Sequence, residues 1–167
     1  MSPLSSDNSN EIIRFDSRIE AQSLALQLVQ QASREICFFG NTLDSALFDN
    51  TAFIDAISEF ARRNHRTQIH FVVHNTQANI VSGHKLILLA QQLTSAIHIH
   101  ISAEQHQHLT QMFLLVDNNR YLYCPNHQSY QGRACIHDPL EVRSLKKTFD
   151  NLWAQSTTDS SIRRLGL

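Results

Sequence analysis

Residues 111–128 read QMFLLVDNNRYLYCPNHQ. Two apolar runs, Met112 to Val116 and Tyr121 to Tyr123, flank the polar stretch Asp117-Asn118-Asn119-Arg120. Asp and Asn tolerate tight backbone and hydrogen-bond it locally, so the segment predicts a β-hairpin. What precedes it has another rhythm. Ile36-Cys37-Phe38-Phe39 ends at Gly40, and Ile69 to Val73 is unbroken (IHFVV). Short apolar runs of this kind suit strands buried on both faces. Ile97, Ile99 and Ile101 alternate with polar residues as a third strand.

Helical periods separate these strands. Ser17 with Glu20 forms a capping box, and Ala21, Leu24, Ala25, Leu28, Val29 and Ala32 then share one face. Asn50 caps a second helix whose stripe is Phe53, Ile54, Ile57, Phe60 and Ala61. The loop NTQANIVSG leads to a third around Leu86, Leu89, Ala90 and Leu93. The order is a leading helix and then β-α-β-α-β, whose right-handed crossovers make the three strands parallel. After the hairpin, Ala134 to Ile136 reads as a further strand. Asp138-Pro139-Leu140-Glu141 supplies an N-cap, a proline at the first helical position and an acid in the first turn. The helix it opens carries Val142, Leu145, Phe149, Leu152 and Trp153 on one face. The expected fold is therefore α/β: one domain over residues 17–155 with a mixed, mostly parallel sheet flanked by helices. Residues 1–16 are expected to be a disordered leader. Residues 156–167 are expected to be a tail that Ile162 and Leu165 can tack to the body.

Composition narrows the class. A chain of 167 residues predicts a single domain, and 42% apolar content suits a soluble one. No apolar run approaches the ~20 residues of a membrane span. The first ten residues lack the basic and apolar regions of a signal peptide. Cys37, Cys124 and Cys135 are too few and too scattered for a disulfide framework, which points to the reducing cytoplasm. A formal charge of −1 argues against a strongly basic nucleic-acid footprint. The pairs Arg62-Arg63, Lys146-Lys147 and Arg163-Arg164 read as solvated helix ends or tail.

Three stretches resemble one half of a phospholipase D-like domain: the helix-strand-helix-strand run up to HFVVH, the hairpin FLLVDNNRYLY, and ACIHDPLEVRSLKKTFDNLW. Together they span about residues 17–155. Active members of that superfamily carry HxKxxxxD on a strand, then six residues, then GSxxN. Aligned on Asp117, the histidine falls on Thr110 and the lysine on Met112, while GSxxN falls on Cys124, Pro125 and Gln128. The resemblance implies that in active members two half-domains meet about a twofold or pseudo-twofold axis. One histidine attacks phosphorus, its counterpart protonates the leaving oxygen, lysines neutralise phosphate and the aspartates orient the imidazoles. Here Thr110 has no adjacent base and Met112 no charge. Losing a positioned acid or base costs about 10²–10⁴-fold, and losing a nucleophile from a cooperating set on the order of 10⁶. The expectation is a degenerate, non-catalytic binding or interaction module that needs no cofactor and is a homodimer by analogy. The chain is also similar to a bacterial family of about this size, ending in an RRLGL-like tail and without an attached activity.

The loop CPNHQSYQGR, residues 124–133, stands where active relatives face the phosphate. Asn126, His127, Gln128, Tyr130 and Arg133, with Asp117, are the candidate binders of a small anion or polar ligand at the strand ends. Gly40-Asn41-Thr42 could line the same cleft. The plain alternative is a surface loop whose Asn, Ser and Gly serve turn geometry. A second function class is a phosphodiesterase-type hydrolase rebuilt from His127, Arg133 and Asp117 around one cleft. A third is a metal-binding protein. His98 and His100 share a strand face, and His106 and His108 repeat the spacing after Glu104, a donor set suited to Zn²⁺, Fe or Cu. A strand with one polar face gives the same HxH pattern without metal. His70, His74 and His84 read as satisfied sheet or helix-cap residues.

Overall fold

A computed structural model describes residues 11–165, with side chains through Ile162. The three strands expected to be parallel are β2 (Glu35–Gly40), β3 (Gln68–Val73) and β4 (Ile97–Ile101), paired in register in the order β2-β3-β4. They bury Ile36, Phe38, Ile69, Phe71, Val73, Ile97 and Ile99 against helices on one face. These helices are α1 (Arg18–Gln30), α2 (Ser45–Phe48), α3 (Thr51–Arg63), α4 (Gln77–Ser82) and α5 (Lys85–Gln92). At the centre, the Phe48 ring meets Phe38 and Phe53 at 4.7 Å and Phe71 at 5.8 Å. Each buried ring of this size contributes up to about 3 kcal/mol.

The hairpin is β5 (Met112–Val116) and β6 (Arg120–Cys124), and β5 lies antiparallel beside β2. β7 (Gly132–Cys135) pairs with β6, and α6 (Pro139–Gln155) then crosses the second face. Val142, Leu145, Phe149 and Leu152 of α6 cover Cys37, Phe39, Val72, Phe113, Leu115 and Tyr121 there. Asp138 caps α6 as its sequence predicts, accepting from the Glu141 N–H at 3.2 Å.

The eight-stranded sheet has the order β1-β7-β6-β5-β2-β3-β4-β8. It is mixed, as the order of elements predicts, but its parallel part is confined to β2-β3-β4. The two edges are corrections to the expected domain limits. Within the expected leader, β1 (Ile13–Phe15) pairs with β7, because Phe15 is buried over Gly132. Residues 1–10 of that leader lie outside the described residues. Within the expected tail, β8 (Thr157–Thr158) pairs with β4 and α7 (Ser160–Leu165) follows, with Ile162 buried as anticipated. Tacking by Leu165 lies outside the described side chains. The loop before α5 also holds α4, closed by Gly83 at φ +68°.

Candidate functional site

At Gly40 the chain leaves the carboxyl end of β2 and runs through Asn41, Thr42 and Leu43 to Asp44. The Asn79 side chain pins this passage, accepting from the Leu43 N–H at 3.1 Å and donating to the Leu43 carbonyl at 2.9 Å. Asp44 caps α2 through the Leu47 N–H. The same carboxylate accepts the Tyr130 hydroxyl at 3.0 and 3.1 Å, and the Arg18 guanidinium lies 5.3 Å over the Tyr130 ring. Burial raises the Asp44 pKa, against the opposing pull of these hydrogen bonds. Burial and the Asp44 charge push the Tyr130 phenol up to about 12, so it stays a donor. The loop carrying Tyr130 is tied to the start of the hairpin, where the His127 N–H donates to the Thr110 carbonyl at 2.9 Å. A cleft of about 570 Å³ results, lined by Arg18, Gln22, Thr42, Ser45, His127 and Tyr130.

Of the predicted ligand-binding residues, this geometry brings His127 and Tyr130 together. Asn126 and Gln128 are exposed, and the Asn126 side chain is used within its own turn, accepting from the Gln128 N–H at 2.9 Å. Arg133 stands apart from the cleft. Its guanidinium lies 4.7 Å over Tyr123 and pairs with Glu141 at 3.0 Å. Asp117 is at the far end of the sheet, where the parallel strands begin. It takes φ 56°, is 7% exposed, and accepts the N–H groups of Ser33, Arg34 and Glu35, the Ser33 hydroxyl and the Arg120 guanidinium. The rearranged catalytic set of His127, Arg133 and Asp117 is thus spread over three places. The expectation that Asp117 joins a ligand cleft is corrected by strand length: β5 carries it down a whole strand from Thr110.

Thr110 and Met112 differ in setting. Thr110 is exposed, and its hydroxyl reaches the Pro125 carbonyl at 3.4 Å. Met112 is 1% exposed and packs into the helix-covered core, opposite the buried Cys124.

The four histidines of the metal reading also separate. His98 and His100 do share a face of β4, but that face meets aromatic rings. Trp153 stacks on His70 at 4.2 Å and on His100 at 3.8 Å, and His98 meets His70 edge-on at 5.5 Å. β4 ends at Ile101 and the chain turns, so His106 and His108 leave the strand. Among the described residues no group of three or more His, Cys, Asp or Glu side chains could hold a metal ion. His74 bridges the Ser102 hydroxyl at 2.6 Å and the Leu109 carbonyl at 2.8 Å. Burial chiefly lowers its pKa, with His127, His106 and His108 nearby adding to the effect. His84 is buried and accepts from the Leu86 N–H at the start of α5, a helix cap. Sequence reasoning missed Arg18, Gln22, Asp44 and Ser45. Asp-Ser-Ala-Leu at residues 44–47 is a cap signal that could have drawn attention to Asp44.

This mixed sheet, with its hairpin beside three parallel strands and one long closing helix, is the phospholipase D-like fold. Solved structures of similar fold include Nuc of Salmonella typhimurium, a phospholipase D family member, at TM-score 0.64 and 15% identity over 89% of this chain and 97% of that one. NucT of Helicobacter pylori matches at TM-score 0.62 and 9% identity, over 89% and 99%. TrmBL2, an archaeal chromatin protein with a novel mode of DNA binding, matches at TM-score 0.65 and 11% identity; the match covers 91% of this chain but 55% of TrmBL2. The chain belongs to the family described as Domain of unknown function (DUF7931), whose model spans residues 17–165. No curated protein matches the sequence.

Proposed function

We propose that the protein is a non-catalytic binding module that takes a small polar or anionic ligand in the cleft between Arg18, Thr42, Ser45, His127 and Tyr130. The observation that carries this reading is the Tyr130–Asp44 clamp. It ties the ligand-facing loop to the end of β2 and leaves Arg18 and His127 at the rim. Against hydrolysis stands Met112, an uncharged thioether in the core at the position matching the phosphate-gripping lysine. By analogy with paired half-domains, the proposal extends to a homodimer. A monomer mass in sedimentation over a tenfold range of concentration would remove that part.

The test is an NMR titration with inorganic phosphate, small carboxylates and small amides. Binding should shift His127 and Tyr130 signals, and His127→Ala should weaken it. Turnover of a chromogenic phosphodiester that disappears in Thr110→Ala would overturn the reading in favour of an enzyme.

A further inference from the structure

Behind the sequence total of −1, acids and bases stand at both ends of the strands, but most of the cations free of ion pairs among the described residues gather at one of them. Around the carboxyl ends of the parallel strands stand Asp16, Glu20, Asp44, Asp49, Glu104 and Asp159, with Arg18 and Lys85 among them. At the opposite end, Arg34 precedes β2, Arg62 and Arg66 flank the exit of α3, and Arg143 and Lys147 project from α6, all exposed. None of these five has a carboxylate within ion-pair distance among the described residues. Three further cations there are neutralised in place: Arg63 by Glu59 at 3.7 Å, Arg120 by Asp117 at 3.2 Å and Lys146 by Asp150 at 2.7 Å.

The loops that carry these groups form one continuous surface. Arg63 donates to the Ala32 carbonyl at 3.0 Å, and the Gln68 N–H donates to the Arg34 carbonyl at 3.3 Å. Arg120 reaches Gln31 at 3.2 Å, and the Asp117 carboxylate holds the Arg34 N–H at 2.7 Å. A concavity of about 510 Å³ continues the surface onto α6, where Arg143, Lys146 and Lys147 line it beside Asn118, together with Glu35, Asp117 and Asp150.

We infer that this end of the sheet docks on the phosphodiester backbone of a nucleic acid, without reading its sequence. From Arg120 at the start of β6 to Arg66 before β3 is three strand spacings, roughly 14 Å, enough to follow several phosphates of a duplex. Arginine predominates, and its planar fork suits phosphate oxygens. Two of the guanidiniums, those of Arg63 and Arg120, are already held by neighbouring loops. An anionic membrane fits less well. Leu140, 74% exposed, and Ile12, 43% exposed, are the large exposed hydrophobic residues at this end among those described, and the cations come from several loops rather than one amphipathic stripe. Uneven charge of this kind also orients the molecule toward a polyanion despite its near-zero total. The surface is independent of the ligand cleft at the other end of the sheet, so either proposal can fail alone.

The test is fluorescence polarisation of a labelled 20-base-pair DNA duplex with the full chain. For about four phosphate contacts, affinity should fall roughly 100-fold between 50 and 200 mM salt. The combined variant R34Q, R66Q, R143Q, K147Q should lose at least tenfold in affinity at 50 mM salt and most of the salt slope. K85Q, at the other end of the sheet, should bind as the parent does. All four substituted side chains are exposed, and an unchanged melting temperature checks that the variant folds. Absence of binding at 50 mM salt, binding insensitive to salt, an unaffected variant, or capture by phosphatidylserine vesicles without duplex binding would each overturn the inference.

Discussion

Asp117 is the residue on which the sequence is expected to match the phosphodiesterase pattern, and its surroundings give it a structural role. Its largely buried carboxylate accepts three consecutive backbone N–H groups in the turn between α1 and β2, those of the exposed Ser33 and Arg34 and the half-buried Glu35. Asp117→Ala should cost about 2 kcal/mol in urea unfolding, from the loss of hydrogen bonds to a charged acceptor, while leaving ligand binding at His127 intact. Tyr130→Phe removes only the hydroxyl held by Asp44. It should cost about 1 kcal/mol, because Tyr130 is half-exposed, but it should loosen the loop and weaken ligand binding. These two roles were not equally legible in the sequence. The resemblance placed both residues near a phosphate-facing site. Neither spacing nor chemistry revealed that a five-residue strand would separate Asp117 from Tyr130 by the height of the sheet.

At the level of elements, the sequence was legible wherever a period had room to show itself. α1, α3 and α6 run for three or more turns, and their apolar positions recur on one face, as expected. β2, β3 and β4 carry unbroken or alternating apolar runs. β1 and β8 have three and two residues, too short to display alternation, and α4 has six. Their positions come from tertiary contacts such as Phe15 over Gly132, which no local pattern announces. That contact sets a sharp test. A Cβ at Gly132 would stand 1.9 Å from the Tyr123 carbonyl oxygen and 3.0 Å from the Phe15 ring. Gly132→Ala should therefore cost about 3 kcal/mol or more, and hydrogen exchange should show β1 and β7 losing protection first.

For the molecule as a whole, acid should be the destabilising direction. Burial, then the neighbouring His98 and His100, lowers the His70 pKa to about 4, and His74, His84 and His100 are lowered as well, chiefly by burial. The unfolded chain, with histidines near 6.5, binds more protons than the native one between about pH 4 and 6.5. The stability these neutral histidines contribute is complete above 6.5 and is lost as pH falls toward 4. Asp44, raised rather than lowered, opposes this only near its own titration. The melting temperature should drop across that window, together with a change in the emission of Trp153, the chain's single tryptophan, stacked on His70 and His100. His70→Gln should reduce both effects. The three cysteines offer a complementary view. Cys37 sits within the central β2, while Cys124 and Cys135 close β6 and β7, and burial pushes the first two thiols up to about 12. A thiol-labelling reagent meets no reactive sulfur in the closed protein. Modification followed cysteine by cysteine thus becomes a clock for how often each part of the sheet breathes.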